Sequence, residues 1–152
     1  MLGSHYFVGK PPYKYDRKKG VELLNQAAEL GSEAAHHLLG IAHANGEGVK
    51  KNEKKALYHL RRAAIGGMLE ARYELGKVHI SNSELQYKHF VIAAEAGHDE
   101  SLKEVKTGHA EGHVEKDVFE KVIRAHKAAK EEVKSEAREK AADWYRSQKS
   151  AN

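Results

Sequence analysis

The sequence predicts an all-α chain: an α/α superhelical solenoid of about three to four helical-hairpin repeats, closed by a long C-terminal helix. Three recurrences predict it. Alanine pairs stand at Ala27-Ala28, Ala63-Ala64, Ala93-Ala94 and Ala128-Ala129, spaced by 36, 30 and 35 residues. Eleven residues before each pair is Asp16, Asn52, Asn82 or Asp117, whose side-chain oxygen can accept a free amide of a first helical turn. Four residues after the first alanine of the first three pairs is Gly31, Gly67 or Gly97, the residue type that ends a helix at least steric cost.

The elements follow from these marks in order. Residues 1–15 hold Leu2-Gly3, Tyr6 and Gly9, in register with Leu39-Gly40, His43 and Gly46. They predict a partial N-terminal repeat in which Met1 enters midway along a second helix, as in a chain that extends upstream. Full repeats are expected at 16–51, 52–81 and 82–116, each opening with a helix of about three turns. In the first, a second helix over 32–45 carries Ala35, Leu38, Leu39 and Ala42 at helical spacing. Ala71, Leu75 and Val78 repeat the pattern in the next. Gly40 and Gly76, each after a leucine, predict places where two helices approach closely. The connector Gly46-Glu47-Gly48-Val49 leads into the following N-cap.

The last segment, 117–149, differs. Glu132 stands in the place of the turn glycine, and nothing between Val118 and Arg146 breaks a helix. Val118, Val122, Ala125, Ala129, Val133, Ala137, Ala141 and Trp144 form one apolar stripe, and Asp117 with Glu120 makes a capping box. The expectation is a capping helix of roughly 45 Å that closes the last repeat of a single domain.

Composition narrows the function classes. Of 152 residues 40% are hydrophobic and 32% charged, with Pro11 and Pro12 the only prolines, which suits amphipathic helices. The absence of cysteine excludes disulfides, thiolate metal sites, cysteine nucleophiles and iron–sulfur clusters. No apolar run approaches the roughly 20 residues of a membrane span, and residues 1–8 lack the pattern of a signal peptide. No membrane insertion is expected, and the cytoplasm is the favoured compartment. The net charge of +4 is uneven. Lys50, Lys51, Lys54, Lys55, Arg61 and Arg62 face only Glu53 within 50–62, and Lys10, Lys14, Arg17, Lys18 and Lys19 face only Asp16 within 10–19.

Taken together, Leu39-Gly40-Ile41-Ala42-His43-Ala44-Asn45-Gly46-Glu47-Gly48-Val49, then Asn52, Lys55-Ala56, Ala63-Ala64, Gly67 and Ala71, resemble the pattern of Sel-one-like repeats. These are helical-hairpin solenoid modules related to tetratricopeptide repeats, and the resemblance runs to about Ala129. Histidine replaces the usual tyrosine at 43, 79 and 109, the connector shrinks to Ile80-Ser81 between the second and third units, and Lys106 replaces a glycine. The resemblance implies a non-catalytic adaptor or scaffold that assembles protein complexes.

The residues themselves offer no active site. Eleven histidines invite a metal, yet His43, His79 and His109 sit in successive repeats, about 10 Å or more apart. His36 and His37 are adjacent on a helix and point apart, and Gly112 ends the helix between His109 and His113. Structural or solvated histidines are expected, with no metal or other cofactor. Gly46-Glu47-Gly48 lacks the strand and third glycine of a dinucleotide fingerprint. Carboxylate pairs such as Asp99-Glu100 and Glu131-Glu132 lie on charge-rich helix and read as solvated faces. No small-molecule substrate is expected.

A partner is expected on the first helices of the repeats: Lys55, Tyr58, His59, Arg61 and Arg62, with Glu22 and Gln26 before them and Lys88 and His89 after. The two basic stretches fall at one phase of adjacent repeats, so stacking would merge them into a surface for a protein or peptide of acidic character. Nucleic acid is the alternative, drawing on the same charge and a pI of about 9.1. Aromatics at 7% and no visible stacking platform count against it.

Overall fold

The computed structural model describes residues 16–150. It has seven helices among them: α1 (Arg17–Glu29), α2 (Glu33–Asn45), α3 (Glu53–Ile65), α4 (Leu69–Val78), α5 (Ser83–Glu95), α6 (Asp99–Ala110) and α7 (Lys116–Ser150). No strand occurs among the described residues. The fold is an all-α repeat of the solenoid class. The half-repeat expected at 1–15, with Lys10 and Lys14, lies outside the described residues.

The recurring marks have specific jobs. Asp16 accepts the Lys19 amide at 3.0 Å, Asn52 that of Lys55 at 3.0 Å and Asn82 that of Leu85 at 3.1 Å, each cap contributing about 1 kcal/mol. At the other end, the amides of Gly31 and Ser32 bond the carbonyls of Ala28 and Ala27 at 2.9 and 3.0 Å. Gly67 and Met68 do the same to Ala64 and Ala63, and Gly97 and His98 to Ala94 and Ala93. This crossed pair of bonds is a Schellman motif, which needs a left-handed residue in the turn; φ is 85° at Gly31, 93° at Gly67 and 96° at Gly97. The alanine pairs thus supply the acceptors of each hairpin turn.

The chain forms two compact units, 1–90 and 91–152, with the boundary inside α5. In the first, Val21, Leu24, Ala28, Ala35, Leu39 and Ala42 make one buried cluster, and Leu60, Ala63, Ala64, Ala71 and Leu75 another. Gly40 lets α2 close onto Leu60 of α3, and Gly76 lets α4 close onto the ring of Phe90, as the Leu-Gly steps predict.

In the second unit Ala93, Ala94, Val105, Val114 and Val122 are buried. Here two expectations are corrected. α7 begins at Lys116, with the Phe119 amide on the Glu115 carbonyl at 2.9 Å, so Asp117 lies inside the first turn and is not the cap. Glu120 faces Lys116 and Arg124 at 3.9 and 4.0 Å in place of a capping box. The alanine phase also shifts. Val122 and His126 are the buried residues of α7, spaced like Leu60 and Ala64, while Ala128 is exposed and Ala129 half-buried. With no glycine turn to serve at 132, the pair loses the role that fixes its place in the other repeats.

The apolar stripe of α7 is used only in part. Residues 131–144 are all exposed, Val133 at 66% and Trp144 at 59%. The closing contacts come from the first half of the helix. There His126, 8% exposed, places Nδ1 2.9 Å from the Ala94 carbonyl and Nε2 3.0 Å from Asp99.

Candidate functional site

Helix α3 divides its residues by face. Ala56, Leu60, Ala63 and Ala64 are buried, whereas Lys54, Lys55, Arg61 and Arg62 are exposed and Tyr58 is 57% exposed. None of Lys50, Lys51, Lys54, Lys55, Arg61 and Arg62 enters an ion pair with a described residue. Two nearby carboxylates are committed elsewhere: Glu47 holds Arg17 at 3.3 Å and Glu74 holds Lys77 at 3.0 Å. The same Arg17 lies under the connector, where a Cβ on Gly48 would come 2.7 Å from the Arg17 carbonyl oxygen. This contact brings the start of α1 against the segment that leads into Lys50 and Lys51.

Beneath the cations runs a seam of rings. His36 of α2 and His59 of α3 meet Nδ1 to Nδ1 at 2.9 Å, so one ring donates and the other accepts. His43, seven residues after His36 and on the same face of α2, stacks on His59 with centroids 5.8 Å apart and planes 5° from parallel. Tyr58 stands edge-on to His59 at 5.0 Å and to His36 at 6.3 Å. The arrangement recurs. His79 stacks on His89 at 5.5 Å and 9°, and in the second unit His109 stacks on Phe119 at 4.3 Å and 8°. The three equivalent histidines each lay a flat ring on a ring of the following helix.

The seam is electrically neutral. Burial pushes His59 down to about 4, with His36, His43 and Lys55 adding to it. His89 is pushed down to about 4 by burial and by His79, Arg72, Arg61 and Lys88. Burial and then Arg62 lower His36 against the pull of the Ala28 carbonyl. His43 is lowered by burial and Lys55 against the Lys50 carbonyl. His37 points the other way, and its burial is partly offset by Glu74 and Glu70. At neutral pH these rings are uncharged and the surrounding positive charge belongs to lysine and arginine.

Of the residues expected to meet a partner, Lys55, Tyr58 and His59 come together on α3, Arg62 lies within electrostatic reach of His36, and Arg61, Lys88 and His89 form a second group. Glu22 and Gln26 are exposed on α1, and the ring contacts and hydrogen bonds of the seam do not include them. The structure adds His36, His43, His79 and Arg72. The seven-residue interval from His36 to His43 is the signal in the sequence that marks the first two as one face. Among the described residues no group of three or more His, Asp or Glu is arranged to hold a metal ion.

The Sel1 repeat family matches residues 1–32 and 33–68. The unit 33–68 starts on the second helix of one hairpin and runs past the first helix of the next, so it contains His36, His43, Tyr58 and His59 together. Over residues 1–68 the chain carries Sel1 repeats. Solved structures agree. The chain is 28% identical to c5321, a protective antigen present in uropathogenic Escherichia coli strains and displaying an SLR fold, over 86% of its own length with a TM-score of 0.71. It spans 29% of that chain. With a Sel1 repeat protein from Oxalobacter formigenes it shares 27% identity over 70% of its length and 84% of the other's, with a TM-score of 0.59. Among curated proteins none matches it in sequence. Sel1 repeat proteins are generally non-catalytic scaffolds for protein interaction. No helix among the described residues of this one is long and apolar enough to cross a membrane.

Proposed function

We propose that this Sel1 repeat protein is a non-catalytic adaptor whose α3 face captures an acidic segment of a partner protein. The observation that carries the reading is the set of cations on and just before α3 that have no carboxylate partner among the described residues, set beside the half-exposed Tyr58. A protein surface commonly spends its cations on neighbouring carboxylates, as α7 does with Lys134–Glu131 at 3.0 Å and Arg146–Asp143. Here they stay available, and arginine and tyrosine are the residue types that most often carry binding energy. The neutral histidine seam beneath them holds Tyr58 in place without competing for an anion.

The test is fluorescence anisotropy with an acidic peptide against the whole chain and a double variant, Arg61→Glu with Arg62→Glu. Both side chains are exposed, so the variant keeps its fold, checked by circular dichroism. The expected result is an affinity at least about tenfold lower, or 1.4 kcal/mol. Unchanged affinity removes the reading. An oligonucleotide that binds instead, and whose affinity collapses steeply between about 50 and 200 mM salt, replaces it with the nucleic-acid alternative.

A further inference from the structure

The inward face of α7 runs on past the core it serves. Val133, Ala137 and Trp144 stand 7, 11 and 18 residues beyond His126, each close to a whole number of helical turns. They therefore continue the face on which Val122 and His126 are buried, and Ala141 lies beside them. Yet all four are exposed, Val133 at 66% and Trp144 at 59%. Over 131–146 the apolar face is thus repeated, open to solvent, for about four further turns.

The charge along this stretch is polarised. Glu131, Glu132, Glu136 and Glu139 outnumber Lys134 and Arg138 over 131–139, whereas Lys140 and Arg146 outnumber Asp143 over 140–146. Two copies laid antiparallel bring the acidic stretch of each against the basic stretch of the other; laid parallel, they bring like against like. The ion pairs already made here are Lys134–Glu131 at 3.0 Å, Lys140–Glu136 at 3.9 Å and Arg146–Asp143. All join exposed neighbours on one helix, so exchanging them for contacts between copies costs little.

We infer that the exposed half of α7 is a self-association surface on which a second copy of this chain docks antiparallel, about a two-fold axis near residue 139. In that register Ala137 meets Ala141 of the other copy, and Val133 meets Trp144 of the other copy. The same patch serves both copies, as a two-fold contact requires. The small residues at the centre let the helix axes approach towards the lower end of about 8–10 Å. Glu136 and Lys140 share one flank of the stripe, and the axis sets that flank against itself, so Glu136 of each copy faces Lys140 of the other. About 24 Å of helix per copy makes a contact at the low end of interface sizes, below about 1,200 Å² in total. The pair is therefore weak and concentration-dependent, and open at the dilution of optical melting. It does not depend on the α3 face.

Sedimentation velocity of the whole chain from about 1 to about 500 µM is expected to show a reversible monomer–dimer equilibrium. Ala137→Glu with Ala141→Glu, at exposed positions that glutamate fills well in a helix, should keep the helical circular dichroism and leave only monomer. Lys140→Glu should raise the dissociation constant at least about tenfold, and adding Glu136→Lys to it should restore the original value. Orientation is read with thiols, since the chain has no cysteine of its own. A mixture of Ala137→Cys and Ala141→Cys chains should form the mixed disulfide faster than either forms one with itself. A chain that stays monomeric at every concentration overturns the pair, and flotation of that monomer with anionic lipid vesicles would give the stripe to a membrane surface instead. A dimer that survives the double glutamate variant, or in which Ala137→Cys cross-links best with itself, overturns the antiparallel contact.

Discussion

Leu60 occupies the place where a side chain on Gly40 would be: a Cβ built there would come 2.5 Å from Leu60 Cγ. Leu60 is itself fully buried, and the contact is at its branch point, so it has little room to give. Gly40→Ala is therefore expected to lower stability by roughly 1–3 kcal/mol through overpacking, the helical preference of alanine over glycine, about 1 kcal/mol, offsetting only part. Gly76→Ala, against the rigid ring of Phe90, should behave alike. Gly66→Ala is the control. Its Cβ would meet the carboxylate end of Glu33, which can swing away, so a change within about 0.5 kcal/mol is expected. Urea unfolding of the three variants gives the order, and an equal loss at all three would refute the close-approach argument.

Asn52 holds more than its own helix. It takes the Lys55 amide with its side chain and donates its backbone amide to the His43 carbonyl at 2.9 Å. Asn52→Ala removes only the first contact, and a loss of about 0.5–2 kcal/mol is expected. Asn52→Asp should be near wild type in chemical denaturation, since Asp caps as well as Asn and places a negative charge at the positive end of α3. A large loss for Asp would mean that the lysine cluster and the cap are coupled in a way the structure does not show.

The repeat was legible in the sequence because each recurring residue answers a local demand. Asp or Asn satisfies a free amide, glycine takes the positive φ of a Schellman turn, and the alanines before it supply the acceptors in little space. Those rules also show where legibility ends. At Ala128-Ala129 the composition recurs without the turn that gives it meaning, and only three-dimensional packing places Val122 and His126 in the core instead. Similarly, Lys55, Tyr58 and His59 follow from helical phase. The pairing of His36 with His59 does not, because it depends on which rows of two different helices interlock.

The second half of α7 contributes helix without contributing core. Every residue from Glu131 to Trp144 is exposed, and its ion pairs, such as Lys134–Glu131 at 3.0 Å, are between neighbours on the same helix, solvated and screened, and add little to stability. A chain ending at Lys130 is expected to melt within about 2–4 °C of the full chain, the shift that about 1 kcal/mol produces at this size, while losing helical circular dichroism. A fall of ten degrees or so would show that the stripe of Val133, Ala137, Ala141 and Trp144 is covered in solution.

The histidine seam fixes how stability responds to acid. His59 and His89 titrate at about 4 in the folded chain and at about 6.5 when unfolded. Between those values the unfolded chain binds protons that the folded chain refuses, so stability rises with pH across the window. It is complete above about pH 6.5 and is lost progressively as pH falls to about 4. His36, His37 and His43, lowered for the same first reason of burial, act in the same direction. Geometry sharpens the effect, because the 2.9 Å Nδ1–Nδ1 bond between His36 and His59 needs one ring nitrogen without a proton, and the adjoining Lys55 and Arg62 oppose any added charge. Urea midpoints measured at about pH 7 and pH 5 should therefore drop on acidification. His59→Phe keeps a ring for His43 to stack on but removes the proton site, so its midpoint should start lower at neutral pH and fall less on the way to acid. An equally steep fall in that variant would place the acid sensitivity outside the seam.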